Sequence, residues 1–348
     1  MKRFLLLFAM AIPLALSAQS SRWELSLTGT FMTPNDIAQI DYARAAFGGE
    51  VAWWYRCEGD AYWIQRRRNP GFGIRASYTC IPNGIAGDRI GIVGLVQAPL
   101  FKKLDYHLGA GLSSFTRSAF FTHDPENIFI STLVCCLIDV GFDFRIDDRL
   151  TTSFSFLHSS NGRLHRPNMG LNFLQASISY SLSPRPAAVS YAHLPAIGQE
   201  FSRHEVGFAI QGGAVASWDL LQEGLFPCYD VSLNYQYYLD PVVAVGGTLD
   251  FWYNGSHYSL SRMYGESYTF PCYISALGFV EGFWGPLSIK AGIGPALVAP
   301  PRVGIRFYER VGAYYNFSNN FVGIALNAHA GMIEFIELCY GHRFKLKR

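Results

Sequence analysis

Apolar and polar residues alternate along most of the chain, and this period of two restricts the fold more than any other feature. Residues 134–146 show the pattern clearly: Val134, Ile138 and Phe142 share one parity, whereas Asp139 and Asp143 share the other. Residues 23–31 and 229–239 repeat it. Successive side chains of a β-strand point to opposite faces, so each segment predicts a strand with one apolar and one polar face.

Such strands occur in soluble sandwiches and in membrane barrels, and two features favour the membrane. The strands are about ten residues or longer, which suits a tilted membrane crossing, and aromatic residues crowd their ends as in the interfacial girdles of barrels. The chain is 50% hydrophobic but only 16% charged, below the roughly 25% typical of soluble domains. We therefore predict an all-β fold, a transmembrane antiparallel β-barrel.

The first 20 residues predict a signal peptide. Lys2 and Arg3 precede an apolar run over residues 4–16, and small residues near Ser17 and Ala18 offer a cleavage site. The run is shorter than the about 20 residues that a membrane-spanning helix needs. Export together with the barrel pattern predicts the Gram-negative outer membrane as the location.

The strands fall into two sets. About eight are predicted between residues 22 and 183, and about eight more between residues 204 and 347. The proline-rich residues 184–203 between them predict a linker. We thus expect a signal peptide (1–20), a first eight-stranded barrel (21–183), the linker (184–203) and a second barrel (204–348). The alternative is one barrel of about sixteen strands, which would leave a channel that a barrel of about eight strands lacks.

Charge and cysteine content argue against several classes of ligand. The net charge of +2 is too near neutral to indicate nucleic-acid binding. The seven cysteines form no zinc spacing, and no calcium-ligand cluster is present, so no metal or other cofactor is expected. Cys228 and Cys272 each follow a Phe-Pro pair; a disulfide between them is possible, but sequence does not determine cysteine pairing.

The seventh and eighth predicted strands carry the candidate chemistry. His158 and Ser160 share the parity of Phe154 and Phe156, and Asn172 shares the parity of the apolar face of the next strand. All three are therefore expected to point toward lipid, where a polar side chain is costly unless it is satisfied or useful. A serine nucleophile needs a base, and an imidazole base needs a third group that orients it. At a strand end, however, His and Ser can also be ordinary headgroup-zone residues.

The segment over residues 154–172 resembles the lipid A 3-O-deacylase family, the PagL-like acyloxyacyl hydrolases, which are eight-stranded outer-membrane barrels. The family's His-x-Ser-Asn motif and its Pro-Asn-x-Gly loop correspond here to residues 158–161 and 167–170. The match is specific over strands seven and eight and general over residues 22–183. The resemblance implies a metal-free ester hydrolase and the following roles: nucleophile Ser160, general base His158, oxyanion stabilisation by Asn161 with Gly162, and loop shaping by Asn168 and Gly170.

One position departs from the family. Its well-studied members have a glutamate as the third member of the triad, about where Asn172 stands here. An asparagine can orient an imidazole but stabilises an imidazolium less well than a carboxylate does. We therefore expect either lower activity or the participation of another acid.

The same loop carries three basic residues, Arg163, His165 and Arg166. Charge-assisted hydrogen bonds from Arg163 and Arg166 to the phosphates of a lipopolysaccharide headgroup are one interpretation, and an ordinary solvated loop is the other.

The second half lacks the motif. His329 falls on the polar, interior parity of its strand, and no serine follows at a spacing of two. The sequence therefore predicts an esterase that removes an acyl chain from lipid A in the outer leaflet, with the site in the first barrel. The alternatives are a non-catalytic barrel with a structural or adhesive role, and a porin-like channel.

Overall fold

The computed structural model describes residues 21–33, 45–82, 86–119, 127–185, 194, 197, 201–217, 223–263, 272–299, 307–329 and 332–346. The predicted signal peptide and most of the predicted linker lie outside these residues.

The first eight strands form a closed antiparallel barrel in which each strand pairs with its neighbours in sequence and β1 also pairs with β8. This arrangement confirms the predicted fold class. The strands are β1 (Ser21–Met32), β2 (Ala45–Arg56), β3 (Gly71–Cys80), β4 (Arg89–Pro99), β5 (Leu104–Phe115), β6 (Val134–Arg145), β7 (Leu150–Ser160) and β8 (Leu171–Ser181).

The next eight strands form a second closed barrel, in which β9 pairs with both β10 and β16. Two barrels, rather than one large barrel, are therefore present. The strands are β9 (His204–Ala216), β10 (Leu225–Asp240), β11 (Val243–Asn254), β12 (Cys272–Trp284), β13 (Leu287–Val298), β14 (Phe307–Phe317), β15 (Asn320–His329) and β16 (Met332–Lys345).

The alternation of the sequence becomes an alternation of burial. On β7, Phe154 and Phe156 are exposed on the outer face, whereas Ser155 is buried in the interior. On β6, the outward Phe142 lies between the buried carboxylates Asp139 and Asp143. An apolar outer face is the surface that a membrane-spanning barrel presents to lipid.

Side chains fill the interior of the first barrel. Toward the ends of the strands joined by short turns, buried charges pair: Arg75 donates to Asp139 at 2.8 Å, and the Nδ1 of His107 lies 3.0 Å from Asp143. Toward the opposite ends the interior is apolar and includes Phe115, Leu137 and other buried side chains, among them Leu157, Leu171 and Phe173. The β7–β8 loop therefore follows a strand that ends beside a packed apolar core.

The second barrel is packed in the same way. Arg310 is buried among three carboxylates: it donates to Asp230, and to Asp250 at 3.0 Å, and its Nε lies 3.2 Å from a carboxylate oxygen of Glu337. Trp252 stacks on Tyr273 with 3.7 Å between ring centroids. A barrel of about eight strands is just wide enough for its own side chains, so the porin-like alternative loses its structural basis.

Two helices interrupt the strands within the ranges that the structure describes. Helix α1 (Tyr62–Arg66) lies in the β2–β3 connection and packs Trp63 against Phe72, and α2 (Gly255–Met263) follows β11. In the described part of the chain, no helix has the length and apolarity needed to cross a membrane. All seven cysteines are free, and Cys228 and Cys272 lie on β10 and β12, on either side of β11.

Candidate active site

His158 and Asn172 face each other across neighbouring strands. The register of β7 and β8 pairs the two residues directly, and the His158 Nδ1 lies 2.6 Å from the Asn172 Oδ1. A carboxamide oxygen can only accept a hydrogen bond, so Nδ1 carries the proton and donates it. In the neutral imidazole the lone pair is then on Nε2, which is the tautomer that a general base requires.

The Nε2 of His158 is the second important atom of the site. It is buried and has no hydrogen-bond partner among the residues that the structure describes. A buried nitrogen without a partner is destabilising by about 1–3 kcal/mol in an ordinary structural setting. An Nε2 without a partner is what we expect of a general base, because a base bonds to the reacting group of the substrate or the nucleophile during the reaction.

Gly170 lies against both Ser160 and His158. A Cβ placed on Gly170 would lie 3.0 Å from the His158 Cε1 and 3.2 Å from the Ser160 Cβ, so both side chains border the same point. The backbone of Gly170 has φ +70°, a conformation that favours glycine. Only glycine fits this position without displacing one of the two side chains.

The three residues differ in exposure. His158 and Asn172 are half-buried on the lipid-facing parity, whereas Ser160, at the end of β7, is only 2% exposed. The prediction of three open, lipid-facing side chains is therefore incomplete for Ser160. Alternation indicates which face a side chain occupies, but it does not show where a loop covers that face.

The loop after Ser160 is held by side-chain hydrogen bonds. The Asn161 backbone N–H donates to the Asn168 Oδ1 at 3.0 Å, and the Asn161 Nδ2 donates to the Ser131 Oγ at 2.9 Å. Asn168 thus shapes the chain immediately after Ser160. Because the backbone N–H of Asn161 is engaged by Asn168, the oxyanion role of Asn161 and Gly162 stays a prediction that rests on their other donors.

Sequence reasoning missed the β5–β6 loop, which supports this turn. The backbone N–H of Gly170 donates to the Phe129 carbonyl at 3.1 Å. The Asn127 side chain orders that segment by accepting from the N–H of Phe129 at 3.1 Å and of Ile130 at 2.9 Å. The available signal was a pair of polar residues, Asn127 and Ser131, on either side of an apolar triplet in a long predicted loop.

The basic residues of the loop are placed differently from one another. Arg163 is 1% exposed. The chain divides into two compact units, and Arg163 belongs to the second one, which consists of residues 162–166 and 195–348. Within that unit its guanidinium donates to Glu334 at 2.8 Å and to the Ala216 carbonyl at 2.9 Å. Burial lowers the pKa of Arg163, and the Glu334 carboxylate opposes that shift. This pairing argues against the predicted phosphate contact for Arg163, whereas His165 is exposed and Arg166 half-buried.

A separate set of serine, histidine and aspartate lies inside the first barrel. The His107 Nε2 lies 3.1 Å from the Ser155 Oγ, and its Nδ1 lies 3.0 Å from Asp143. These three residues are between 0% and 3% exposed, and Asp139 also bonds the ring at 3.2 Å. A substrate cannot reach this interior set, so we interpret it as part of the polar packing.

Among the described residues of β15, the seventh strand of the second barrel, no counterpart of the site is present. His329 donates its Nδ1 proton to the Phe307 carbonyl at 2.9 Å, so the ring serves a backbone contact.

Two family models match the chain. Residues 47–181 match the lipid A 3-O-deacylase (PagL) model, and residues 204–346 match the acyloxyacyl hydrolase C-terminal domain model. Comparison with curated proteins gives no significant match.

Several solved structures resemble the chain at low identity. A de novo designed transmembrane β-barrel shares 11% identity, with coverage of 46% of this chain and 95% of that chain and a TM-score of 0.29. A Rh. blastica porin mutant shares 9% identity, with 93% and 99% coverage and a TM-score of 0.19. A bacterial polysaccharide outer membrane secretin shares 11% identity, with 93% and 98% coverage and a TM-score of 0.23.

The first match runs from β2 to β8 of the first barrel, and the second match covers β9 to β16, the strands of the second barrel. On these matches the chain belongs to the lipid A 3-O-deacylase (PagL) family.

Proposed function

We propose that this chain is an outer-membrane esterase that removes an acyl chain from lipid A, with Ser160 as nucleophile, His158 as general base and Asn172 as the group that orients His158. The family supports an outer-membrane hydrolase of lipid A esters. The observation that carries the residue assignment is the 2.6 Å contact of His158 Nδ1 with Asn172 Oδ1. That contact directs the basic Nε2 away from Asn172, on a ring that borders the same point as Ser160.

The reaction follows from this arrangement. The Ser160 oxygen attacks the ester carbonyl carbon while His158 Nε2 takes the hydroxyl proton. The tetrahedral intermediate collapses, the C–O bond of the ester breaks, and His158 returns the proton to the departing alcohol oxygen. Water, deprotonated by the same nitrogen, then attacks the acyl-serine, and the fatty acid leaves with Ser160 restored.

Charge develops on the carbonyl oxygen in both steps and needs donors. We assign this role to the Gly162 backbone N–H and to the Nδ2 hydrogen of Asn161 other than the one donated to Ser131. Arg166 is the residue of this loop to which we assign contact with a lipid A phosphate, because Arg163 is committed to Glu334.

The substrate would approach from the membrane side. In the strand next to β7, Ile138 lies opposite His158 and Cys136 lies opposite Ser160. The neighbouring outward side chains Val140 and Phe156 are apolar and exposed. An acyl chain can lie against this surface while its ester reaches the strand end.

Mass spectrometry of lipid A tests the proposal in cells that express the wild type, Ser160→Ala or Ser159→Ala. Ser159 is a matched control, since its hydroxyl points into the barrel and accepts from Ser113 at 3.1 Å. We expect the wild type and Ser159→Ala to produce lipid A that lacks one acyl chain, and Ser160→Ala to leave lipid A intact. Identical lipid A in all three strains would rule out the proposed reaction.

A non-catalytic structural or adhesive barrel is the second candidate, and the observation that favours it is Asn172 in place of a carboxylate. In that case lipid A would be unchanged by the wild type although the barrel is correctly folded in the membrane.

A further inference from the structure

A small cavity lies within the first barrel at the end where the short turns join the strands. It has a volume of about 40 Å³ and is lined by five arginines and one carboxylate: Arg22, Arg56, Arg68, Arg145, Arg185 and Asp105. They come from the start of β1, the end of β2, the β2–β3 connection, the end of β6, the segment after β8 and the start of β5. The cavity is distant along the strands from Ser160, which ends β7 at the opposite side.

Three of these arginines are buried to an unusual degree for their charge. Arg22 is 8% exposed, Arg56 is 7% exposed and Arg185 is 9% exposed. A buried cation is strongly destabilising unless it is paired and hydrogen-bonded. The buried guanidinium groups around this cavity therefore need negatively charged groups close by to pair with them.

The carboxylates nearby satisfy only part of that need. Glu24 accepts from Arg22 at 2.7 Å and from Arg185 at 2.5 Å, so one carboxylate serves two guanidinium groups. Asp105 is paired with Arg145 at 2.7 Å. Two carboxylates thus serve three arginines, and the exposed Arg68 also lines the cavity.

Several guanidinium hydrogens remain available. The Nε and Nη1 of Arg185 and the Nε of Arg145 are buried and have no hydrogen-bond partner within the described ranges of the chain. The side chain of Arg185 is 6% exposed and lines the cavity. Such donors are favourable only when an acceptor occupies the space before them.

We propose that this arginine-lined cavity binds a phosphate group. A phosphate offers several strong acceptor oxygens and up to two negative charges, which matches the planar donor pairs of arginine and the excess of positive charge. The volume of about 40 Å³ is several times the roughly 10–15 Å³ that one water needs on the same measure. The phosphate can come from free inorganic phosphate or from a phospholipid headgroup at the short-turn end of the barrel.

The test uses the full-length protein in detergent micelles, titrated with inorganic phosphate at constant ionic strength in sodium chloride, because salt alone screens exposed arginines. Calorimetry measures the dissociation constant, and the thermal unfolding midpoint reports the linked stabilisation. We compare the wild type with Arg185→Gln, Arg68→Gln and Arg66→Gln. Arg66 is an exposed arginine of α1 that does not line the cavity.

We expect saturable binding of one phosphate, weakened about tenfold or more in Arg185→Gln and in Arg68→Gln and unchanged in Arg66→Gln. Arg68 is exposed, so its variant keeps the fold and decides the outcome if Arg185→Gln unfolds. A second arm replaces free phosphate with phosphatidic acid in the micelles. Binding in this arm alone identifies the headgroup as the source, and binding in the first arm identifies free phosphate. Absence of binding in both arms, or equal affinity in all four proteins, would overturn the proposal.

Discussion

At the scale of single residues, the candidate site depends on how Asn172 orients His158. The 2.6 Å contact supplies the orientation without supplying a charge. Alternation alone placed His158, Ser160 and Asn172 on one face, because the parity of a strand is read directly from its apolar positions. The hydrogen bond between the two side chains required the pairing register, which the turns and barrel closure set and which a single strand's pattern does not contain.

Asn172→Asp tests the missing charge. Aspartate has the length of asparagine, so the contact with Nδ1 is kept while a carboxylate now stabilises the imidazolium that forms in the reaction. We expect ester hydrolysis to be at least about tenfold faster than in the wild type. The measurement is the initial rate on purified lipid A in detergent micelles. Asn172→Leu, which cannot bond the ring, is the control and is expected to lose activity; a slower Asn172→Asp variant would contradict the assigned role.

At the scale of elements, the β7–β8 loop positions the nucleophile and the base together. The motif residues Asn168 and Gly170 could be recognised from the sequence, but their partners in the β5–β6 loop could not. Ser131 and Phe129 contact the turn from a segment about 30–40 positions earlier in the chain, and loop-to-loop contacts of this kind leave no periodic signal. The burial of the Ser160 side chain was not predicted for the same reason, since it depends on contacts made by loops.

Gly170→Ala tests the close approach at this turn. The added methyl group would press on the His158 Cε1 and the Ser160 Cβ, and a side chain at φ +70° is strained by about 1 kcal/mol or more. We expect most of the esterase activity to disappear while the barrel remains folded. Gly29→Ala is the matched control, since a Cβ there meets nothing within 4 Å on the outer face. Gel mobility of unheated samples reports folding, and full activity of Gly170→Ala would be inconsistent with this geometry.

Asn168 gives a second test of the loop. Asn168→Ala removes the acceptor for the Asn161 N–H, whereas Asn168→Asp retains an oxygen at the same distance. We expect activity to fall about tenfold in the alanine variant, corresponding to one lost hydrogen bond, and to recover in the aspartate variant. Equal rates in the two variants would show that this bond does not position the site.

At the scale of the whole molecule, the chain consists of two closed barrels with filled interiors. The number of strands and the apolar outer faces were predictable, because they follow from local pattern and composition. The interior ion pairs were not, since residues such as Arg310, Asp230 and Asp250 come from different strands and meet only on barrel closure.

Filled interiors predict that the protein does not conduct ions. In planar bilayers, at protein concentrations at which porins form channels, we expect the current to remain at the baseline. Side chains occupy the lumen of a barrel of about eight strands. Uniform stepwise conductance that depends on added protein would contradict the packed interiors.

The most direct test of the central claim is labelling of the nucleophile by a fluorophosphonate probe, followed by peptide mass spectrometry. An activated serine forms a covalent phosphonyl adduct, and activation requires the base. We predict an adduct on Ser160 in the wild type, none in His158→Ala and an unchanged adduct in Ser159→Ala. No adduct on Ser160, or equal labelling with and without His158, would contradict the account.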